Sequence, residues 1–281
     1  MGLRLVVVGG GRMGGAIIRG VVSGGWAQAD QIVVVEPSEP RRAELSAEMP
    51  GLVLLADGAH LDQVEGFHAA TGPAARVEGV GALVAVKPLD AEAAFRALGR
   101  RGLKRVVSIV AGVRIESLES WLPAGTAVIR AMPNTPALVG AGATAIAHGA
   151  SCGEEDAAWA RELLGTVGYV VSVPERSLDA VTGLSGSGPA YLLLVVEAMI
   201  EAGVSAGLPR EVSRALTTHT LLGTGRLLVE TGEDPEYLRA QVTSPGGTTA
   251  AGLRALEARA VRSAFIEAVS AATERARELG A

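Results

Sequence analysis

The stretch Leu3 to Val22, LRLVVVGGGRMGGAIIRGVV, limits the choice of fold more than any other part of the chain. Leu5 to Val8 is an apolar run too short for a helix and rich in β-branched residues, so it reads as a buried strand. It passes straight into Gly9, Gly11 and Gly14, spaced as GxGxxG, and Met13, Ile17, Ile18 and Val21 then recur at helical intervals. A glycine string alone says little in a chain with 37 glycines among 281 residues. Set between a strand and a helix, it predicts a dinucleotide-binding turn. Gly9 would take the tight bend, Gly11 would leave room for a pyrophosphate, and Gly14 would let helix and strand pack closely. Arg12 and Met13 open the helix, whose first-turn amides would face the pyrophosphate at the positive end of the helix dipole.

The length suits two ordinary domains or one large one. A net charge of -5 with no basic cluster argues against a nucleic-acid partner. The amino-terminal residues lead into a structural motif instead of a cleavage site, so no signal peptide is expected. Glu197 and Glu201 interrupt the most apolar run, Leu192 to Ile200, before it reaches the roughly 18 residues of a membrane span. A soluble, cytoplasmic protein is expected. Cys152, the single cysteine, excludes an internal disulfide and reads as a bystander in a Gly/Ser-rich loop. The four histidines form no HExxH or close pair, so no metal site is expected.

Beyond the first helix, Gln31 to Val35 reads as a strand ending at Glu36, 22 residues past Gly14. A dinucleotide unit uses an acid at this place to bond the adenosine ribose, and its charge opposes a 2′-phosphate. Arg41 and Arg42 lie close enough to offset that charge, and a plain solvated strand end is the alternative for Glu36. Pro40 to Met49 has a helical pattern, and Pro50 to Ala70 holds two short apolar runs, GLVLL and GFHAA, around DGAHLDQ. Val80 to Val86 reads as a strand closed by Lys87-Pro88. Ligands of doubly wound sheets sit outside such carboxyl ends, so Lys87 is a candidate cofactor contact. A helix over Asp90 to Arg100 and a strand over Arg105 to Val110 follow, closing at Ala111-Gly112, where a nicotinamide or ribose can approach the backbone. Next come a short helix, Glu116 to Leu122, a strand, Ala127 to Arg130, and the rigid turn Met132-Pro133-Asn134-Thr135-Pro136. Strands at Ala143 to Ala147 and Tyr169 to Val173, joined by a helix over Glu154 to Leu164, complete an α/β pattern. The fold class is a Rossmann-like, doubly wound, mostly parallel sheet over 1–174.

From Pro174 the pattern is helical, which sets an all-helical second domain over 175–281. Helices are predicted over Pro189 to Gly203, Pro209 to Glu230, Pro235 to Gln241 and, as one long element, Thr249 to Leu279. AYLLLVVEAMI is apolar nearly all round and needs burial on every side, which favours a homodimer with interlocked helical domains over a monomeric bundle. Two breaks, Leu184 to Pro189 (LSGSGP) and Thr243 to Thr249 (TSPGGTT), place hydroxyls and free amides at helix starts. Such starts suit a carboxylate. Neither break contains a base or nucleophile, so the chemistry falls to a cofactor, as in hydride transfer.

Val242 to Leu256, VTSPGGTTAAGLRAL, resembles the signature of the pyrroline-5-carboxylate reductase family, which carries out the last step of proline biosynthesis. Asp179 to Tyr191 (DAVTGLSGSGPAY), Ala131 to Pro136, Val110 to Val113, Ala85 to Pro88, Gly207 to Arg210 and the opening GGGRMGGAI share that resemblance, in order along nearly the whole chain. It implies an NADPH- or NADH-dependent enzyme that reduces 1-pyrroline-5-carboxylate to L-proline and dimerises through its helical domain, with decamers among its higher assemblies. It implies further that Gly9, Gly11, Met13 and Gly14 hold the dinucleotide. Ala85, Val86, Lys87, Pro88, Ala111 and Gly112 would border the nicotinamide, with Asn134 nearby. Ser244, Gly247, Thr248 and Thr249 would receive the cyclic imine and its carboxylate, Thr249 near the imine nitrogen, with Ser185 and Ser187 supporting the same pocket. Ser244 and Thr249 are thereby the candidate catalytic residues. Two features depart from the family: Glu36 stands where NADPH-using members carry Ser, Asn or an Arg-containing turn, and the span from Glu36 to Lys87 is longer than usual. Glu36 predicts NADH use at least comparable with NADPH use.

Two other readings compete. Hydroxyacid dehydrogenases share the GxGxMG opening and a helical second domain, but resemble one another in an active-site lysine of that domain. Here the only lysines, Lys87 and Lys104, precede it. A non-catalytic NAD(P)-binding dimer would keep the fingerprint but needs neither of the two glycine-hydroxyl helix starts.

Overall fold

The computed structural model describes residues 2–64 and 77–280. It divides into two compact units, one of residues 1–186 with 272–281, the other of residues 187–271.

The first unit is built on β1 (Leu5–Val8), which enters α1 (Arg12–Ser23) through the glycine turn. β2 (Ile32–Val35), α2 (Glu39–Glu48) and β3 (Val53–Leu55) follow, so GLVLL contains a strand. Its polar neighbour DGAHLDQ contains a 3-10 turn over Gly58–Gln63. GFHAA, residues 66–70, lies outside the described residues. β4 (Val77–Val84), α3 (Ala91–Gly99), β5 (Leu103–Ser108), α4 (Ile115–Ser120) and β6 (Ala127–Met132) continue the alternation. β7 (Gly142–His148), α5 (Glu154–Gly165) and β8 (Gly168–Ser172) end it.

The eight strands form one sheet in the order β3-β2-β1-β4-β5-β6-β7-β8. Every pairing is parallel except β6 with β7, which is antiparallel. The strand order reverses at β1, so the chain leaves the adjacent carboxyl ends of β1 and β4 toward opposite faces of the sheet, and a crevice opens there. Side chains alternate between two buried faces, as the period of two requires. Val6 and Val106 pack on one face with Phe95, Leu98, Ile115 and Leu118. Leu5, Val7 and Val107 pack on the other with Ile17, Ile18, Leu45, Leu163 and Leu164. Burial on both faces explains why these strands read as continuous apolar runs instead of alternating ones.

The strand expected over Val80 to Val86 ends at Val84, although Ala85 still donates its amide to the Val8 carbonyl at 2.8 Å. Pro88, unable to extend a ladder, opens a 3-10 turn over Pro88–Asp90. The turn predicted over Met132 to Pro136 runs into a 3-10 turn, Thr135–Val139, closed by Gly140 at φ 72°.

After β8 the described chain is helical. α6 (Leu178–Val181) runs into a π-helical turn, Thr182–Gly186, and then into α7 (Gly188–Ser205). α8 (Arg210–Thr231), α9 (Pro235–Gln241), α10 (Thr248–Glu257) and α11 (Val261–Leu279) follow. The single helix expected over Thr249 to Leu279 is therefore two, broken over 258–260 with Ala260 at φ 54°. No glycine or proline marks that break, and apolar residues keep helical spacing across it.

α7 and α8 form the centre of the second unit. The Ser213 hydroxyl, 2% exposed, donates to the Ile200 carbonyl at 2.8 Å. Gly203 faces that serine so closely that a Cβ there would collide with it. On the rest of α7 no residue is buried, and Leu192, Leu193, Leu194 and Met199 stand about half exposed or more. The helical run over residues 175–205 is, by length and composition alone, apolar enough to cross a membrane, so Glu197 and Glu201 do not disqualify it on those terms.

Candidate active site

The glycine turn is shaped by backbone contacts that admit no side chain. Gly9 sits at φ 99°, and a Cβ on it would lie 2.5 Å from the Ala85 carbonyl oxygen at the end of β4. A Cβ on Gly14 would run into the Gly9 carbonyl oxygen. Gly11 differs: nothing lies within 4 Å of where its Cβ would be, and it caps α1 without a side-chain hydrogen bond. Two glycines thus serve the fold, whereas the third keeps open a space in front of the α1 amides. A pyrophosphate fits that cradle in shape and charge.

Glu36 terminates β2 and is only 8% exposed. Its carboxylate accepts the Gly10 amide at 2.8 Å and the Ser38 amide at 2.9 Å. It is therefore a clamp on the glycine turn, and not a solvated strand end. The two arginines beside it are engaged. Arg41 donates to the Gly10 carbonyl at 2.7 Å and to Glu44 at 2.7 Å. Arg42 donates to the Glu36 and Pro37 carbonyls at 2.7 and 2.8 Å.

Past the carboxyl ends of β4, β5 and β6 lies a cavity of about 250 Å³, lined by Pro88, Ala111, Gly112, Arg130, Met132 and Asp179 among others. Of the expected nicotinamide contacts it gathers Pro88, Ala111 and Gly112. Gly112 takes φ 76°, and a Cβ there would lie 2.9 Å from the Leu279 carbonyl oxygen. Ala85 and Val86 are partly buried behind the glycine turn, whereas Lys87 is exposed. Asn134, 9% exposed, spends both ends of its amide on backbone. Its Nδ2 donates to the Ser185 carbonyl at 3.1 Å and its Oδ1 accepts the Ala143 amide at 2.8 Å. It anchors the π turn to the β6–β7 connection.

The sequence pattern gave no role to Arg130 and Glu175. Glu175 accepts Arg130 at 3.0 Å and the Ile115 amide at 2.7 Å, joining the end of β6 to the start of α4. An arginine inside an otherwise apolar strand, AVIRAM, was the available signal.

Of the two glycine-hydroxyl segments, the first is no clean helix start. α6, the π turn and α7 run on through it, and the Ser185 hydroxyl returns to the Val181 carbonyl at 3.1 Å. Ser187 makes no capping hydrogen bond with its side chain. The second segment is a true start. Gly246 at φ 70° turns the chain, the Gly247 amide closes on the Ser244 carbonyl at 3.0 Å, and Gly247 caps α10 without a side chain. The amides of Thr248 and Thr249 then open the helix, with Thr249 half-buried and Ser244 and Thr248 exposed.

Cys152 is shielded, its thiol pushed up to about 11 by burial and by the neighbouring Asp156 carboxylate. Among the described residues no group of three or more His, Cys, Asp or Glu side chains could hold a metal ion.

Fold and site together define a dinucleotide-binding protein of the Rossmann type whose doubly wound sheet is followed by a helical segment. Comparison with known proteins narrows the class. Residues 175–279 match the family described as pyrroline-5-carboxylate reductase dimerisation, and residues 4–112 match NADP oxidoreductase coenzyme F420-dependent. The chain is 43% identical over 281 residues to a pyrroline-5-carboxylate reductase of Synechocystis sp., covering 100% of this chain and 99% of that one. A solved pyrroline-5-carboxylate reductase of Coxiella burnetii superposes with a TM-score of 0.88 at 32% identity, both chains covered in full (100%). A pyrroline carboxylate reductase of Plasmodium falciparum, solved with NADP bound, superposes with a TM-score of 0.80 at 26% identity, covering 99% of this chain and 98% of that one. The chain belongs to the pyrroline-5-carboxylate reductase family.

Proposed function

We propose that the protein reduces 1-pyrroline-5-carboxylate to L-proline with NADH or NADPH, as a cytoplasmic homodimer that can assemble further into decamers. The observation that carries this reading is the full-length likeness to pyrroline-5-carboxylate reductases. Each unit adds its own support, the first a glycine cradle open at Gly11 and the second an amide-rich helix start at Gly247–Thr249. The apolar, unburied α7 supports a dimer over a membrane span, because the segment that carries it matches a dimerisation family.

When bound, the dinucleotide supplies a hydride to the ring carbon of the imine. The chain's own task is placement and charge. The first-turn amides of α1 hold the pyrophosphate, with Arg12 and Met13 beside it, and the walls at Pro88, Ala111 and Gly112 set the nicotinamide side. The Thr248 and Thr249 amides, with Ser244 at the turn, hold the substrate carboxylate, and the Thr249 hydroxyl orients the ring nitrogen. If the imine binds protonated, its charge already draws electrons from the C=N bond and no strong protein acid is required. Fixing carbon against hydride donor then provides most of the rate. Thr249→Ala is expected to cut kcat about a hundredfold while leaving the Kd for NADH near the wild-type value. Equal losses in both would remove Thr249 from the substrate site.

Glu36 favours NADH. Its carboxylate is pinned by two amides, so a 2′-phosphate would meet a negative charge there; both nearby arginines are held on backbone carbonyls, and Arg41 is paired with Glu44 as well.

A further inference from the structure

The helical run after β8 passes through the π turn Thr182–Gly186, and there its own amides do not suffice. In an α-helix the Ser185 carbonyl would accept the amide of residue 189. Residue 189 is proline, which has no amide to give. The next amide along, that of Ala190, closes on the Ser187 carbonyl at 2.9 Å. Asn134, just past the end of β6, supplies a donor in place of the missing one, its Nδ2 lying 3.1 Å from the Ser185 carbonyl oxygen. The oxygen of the same side chain accepts the Ala143 amide at 2.8 Å, in β7. Both ends of a buried side chain are thus spent on backbone, and Asn134 stands behind the cavity beyond β4, β5 and β6, not on its wall.

The turn that Asn134 holds does form part of that wall. Thr182 lines the cavity, and so does Met132, whose terminal methyl lies 2.9 Å from where a Cβ on Gly186 would stand. The Thr182 and Ser185 hydroxyls return to the Leu178 and Val181 carbonyls at 2.8 and 3.1 Å, bonds of the kind that bend a helix. A π turn is a rare geometry, and with a proline just beyond it this one depends on an outside donor. We propose that Asn134 is a positioning residue for hydride transfer: by donating to the Ser185 carbonyl it fixes the π turn, and with it the Thr182 and Met132 side of the cavity. The inference rests on the reductase reading, which brings the nicotinamide to this cavity. Transfer depends steeply on how the reacting atoms are placed, so a displaced wall lowers turnover. Nucleotide affinity is spared, because the pyrophosphate is held at the glycine cradle, to which Asn134 makes no hydrogen bond.

The test compares kcat/KM for 1-pyrroline-5-carboxylate at saturating NADH, and the Kd for NADH by fluorescence, in the wild type, N134D and N134D/P189A. Aspartate keeps an acceptor for the Ala143 amide but turns a carboxylate oxygen toward the Ser185 carbonyl. N134D is expected to lower kcat/KM about tenfold while the Kd for NADH changes by less than about twofold. P189A provides the amide that residue 189 lacks and is expected to recover most of the loss. Acid protonates the new carboxyl, whose O–H then donates to Ser185, so the ratio of N134D to wild-type kcat/KM is expected to rise as pH falls. A deficit that neither P189A nor acid relieves, or a Kd for NADH that rises as much as kcat/KM falls, overturns the proposal. If N134D does not fold, N134S, whose hydroxyl is too short to span both partners, is read by the same loss, Kd and P189A criteria. Absence of turnover in the wild type would instead defeat the reductase reading, so the two failures are distinguishable.

Discussion

At the residue scale, the three fingerprint glycines separate into different physical tasks. Gly9→Ala and Gly14→Ala put a methyl group into backbone, at Ala85 and at Gly9 respectively, and each is expected to cost about 2–3 kcal/mol in urea unfolding. Gly11→Ala meets no atom of the protein. It should lower Tm much less than the other two, through the poorer helix cap alone, and still weaken NADH binding, because the methyl enters the space kept for pyrophosphate. Glu36→Gln trades an acceptor for an amide that faces the Gly10 or Ser38 donor. That variant should lose about 1–2 kcal/mol of stability and shift kcat/KM toward NADPH relative to NADH. Cys152 supplies a pH prediction. Its folded thiol titrates at about 11 instead of 9.0, chiefly through burial. Whatever stability this gives is complete below the unfolded thiol's range and is lost as pH rises through the folded value. Alkylation of native protein by iodoacetamide should accordingly stay slow at pH 8 and accelerate only above pH 10. The glycine spacing was readable in sequence because its constraint is local. The Glu36 clamp and the Arg130–Glu175 pair were not, since each depends on groups brought together from distant positions, as far apart as 130 and 175.

At the scale of elements, helix and strand order and the mostly parallel sheet followed from apolar period and the Gly/Pro punctuation, whereas the one antiparallel pairing and one helix break did not. The antiparallel step between β6 and β7 is set by the compact turn after Asn134, and an apolar run carries no record of its direction. The break before α11 escaped because Ala260 holds a left-handed conformation that sequence assigns to glycine. Ala260→Gly relieves that backbone and is expected to raise stability by about 0.5–1 kcal/mol, visible as a higher Tm. Within the second unit, Gly203→Val would push α7 off Ser213 and should cost about 2–3 kcal/mol, enough to lower the thermal midpoint by several degrees.

For the molecule as a whole, the apolar surface of α7 is what a single chain leaves uncovered. Leu193 and Leu194 are 60% and 66% exposed. The double variant L193D/L194D is expected to sediment as a monomer with reduced activity, and a variant that stays dimeric would move the interface elsewhere. The dimer was legible in sequence because a helix apolar on all faces has no stable place on a lone surface. The activity was legible through the VTSPGGTTAAGLRAL segment, whose glycines and threonines now stand at the start of α10. The most direct measurement is kcat/KM for reduction of 1-pyrroline-5-carboxylate by the purified protein, with NADH and NADPH in parallel and proline quantified as product. Stoichiometric proline is expected from both, with NADH at least equal to NADPH. A strong NADPH preference would contradict the reading of Glu36, and no turnover with either nucleotide would contradict the reductase itself.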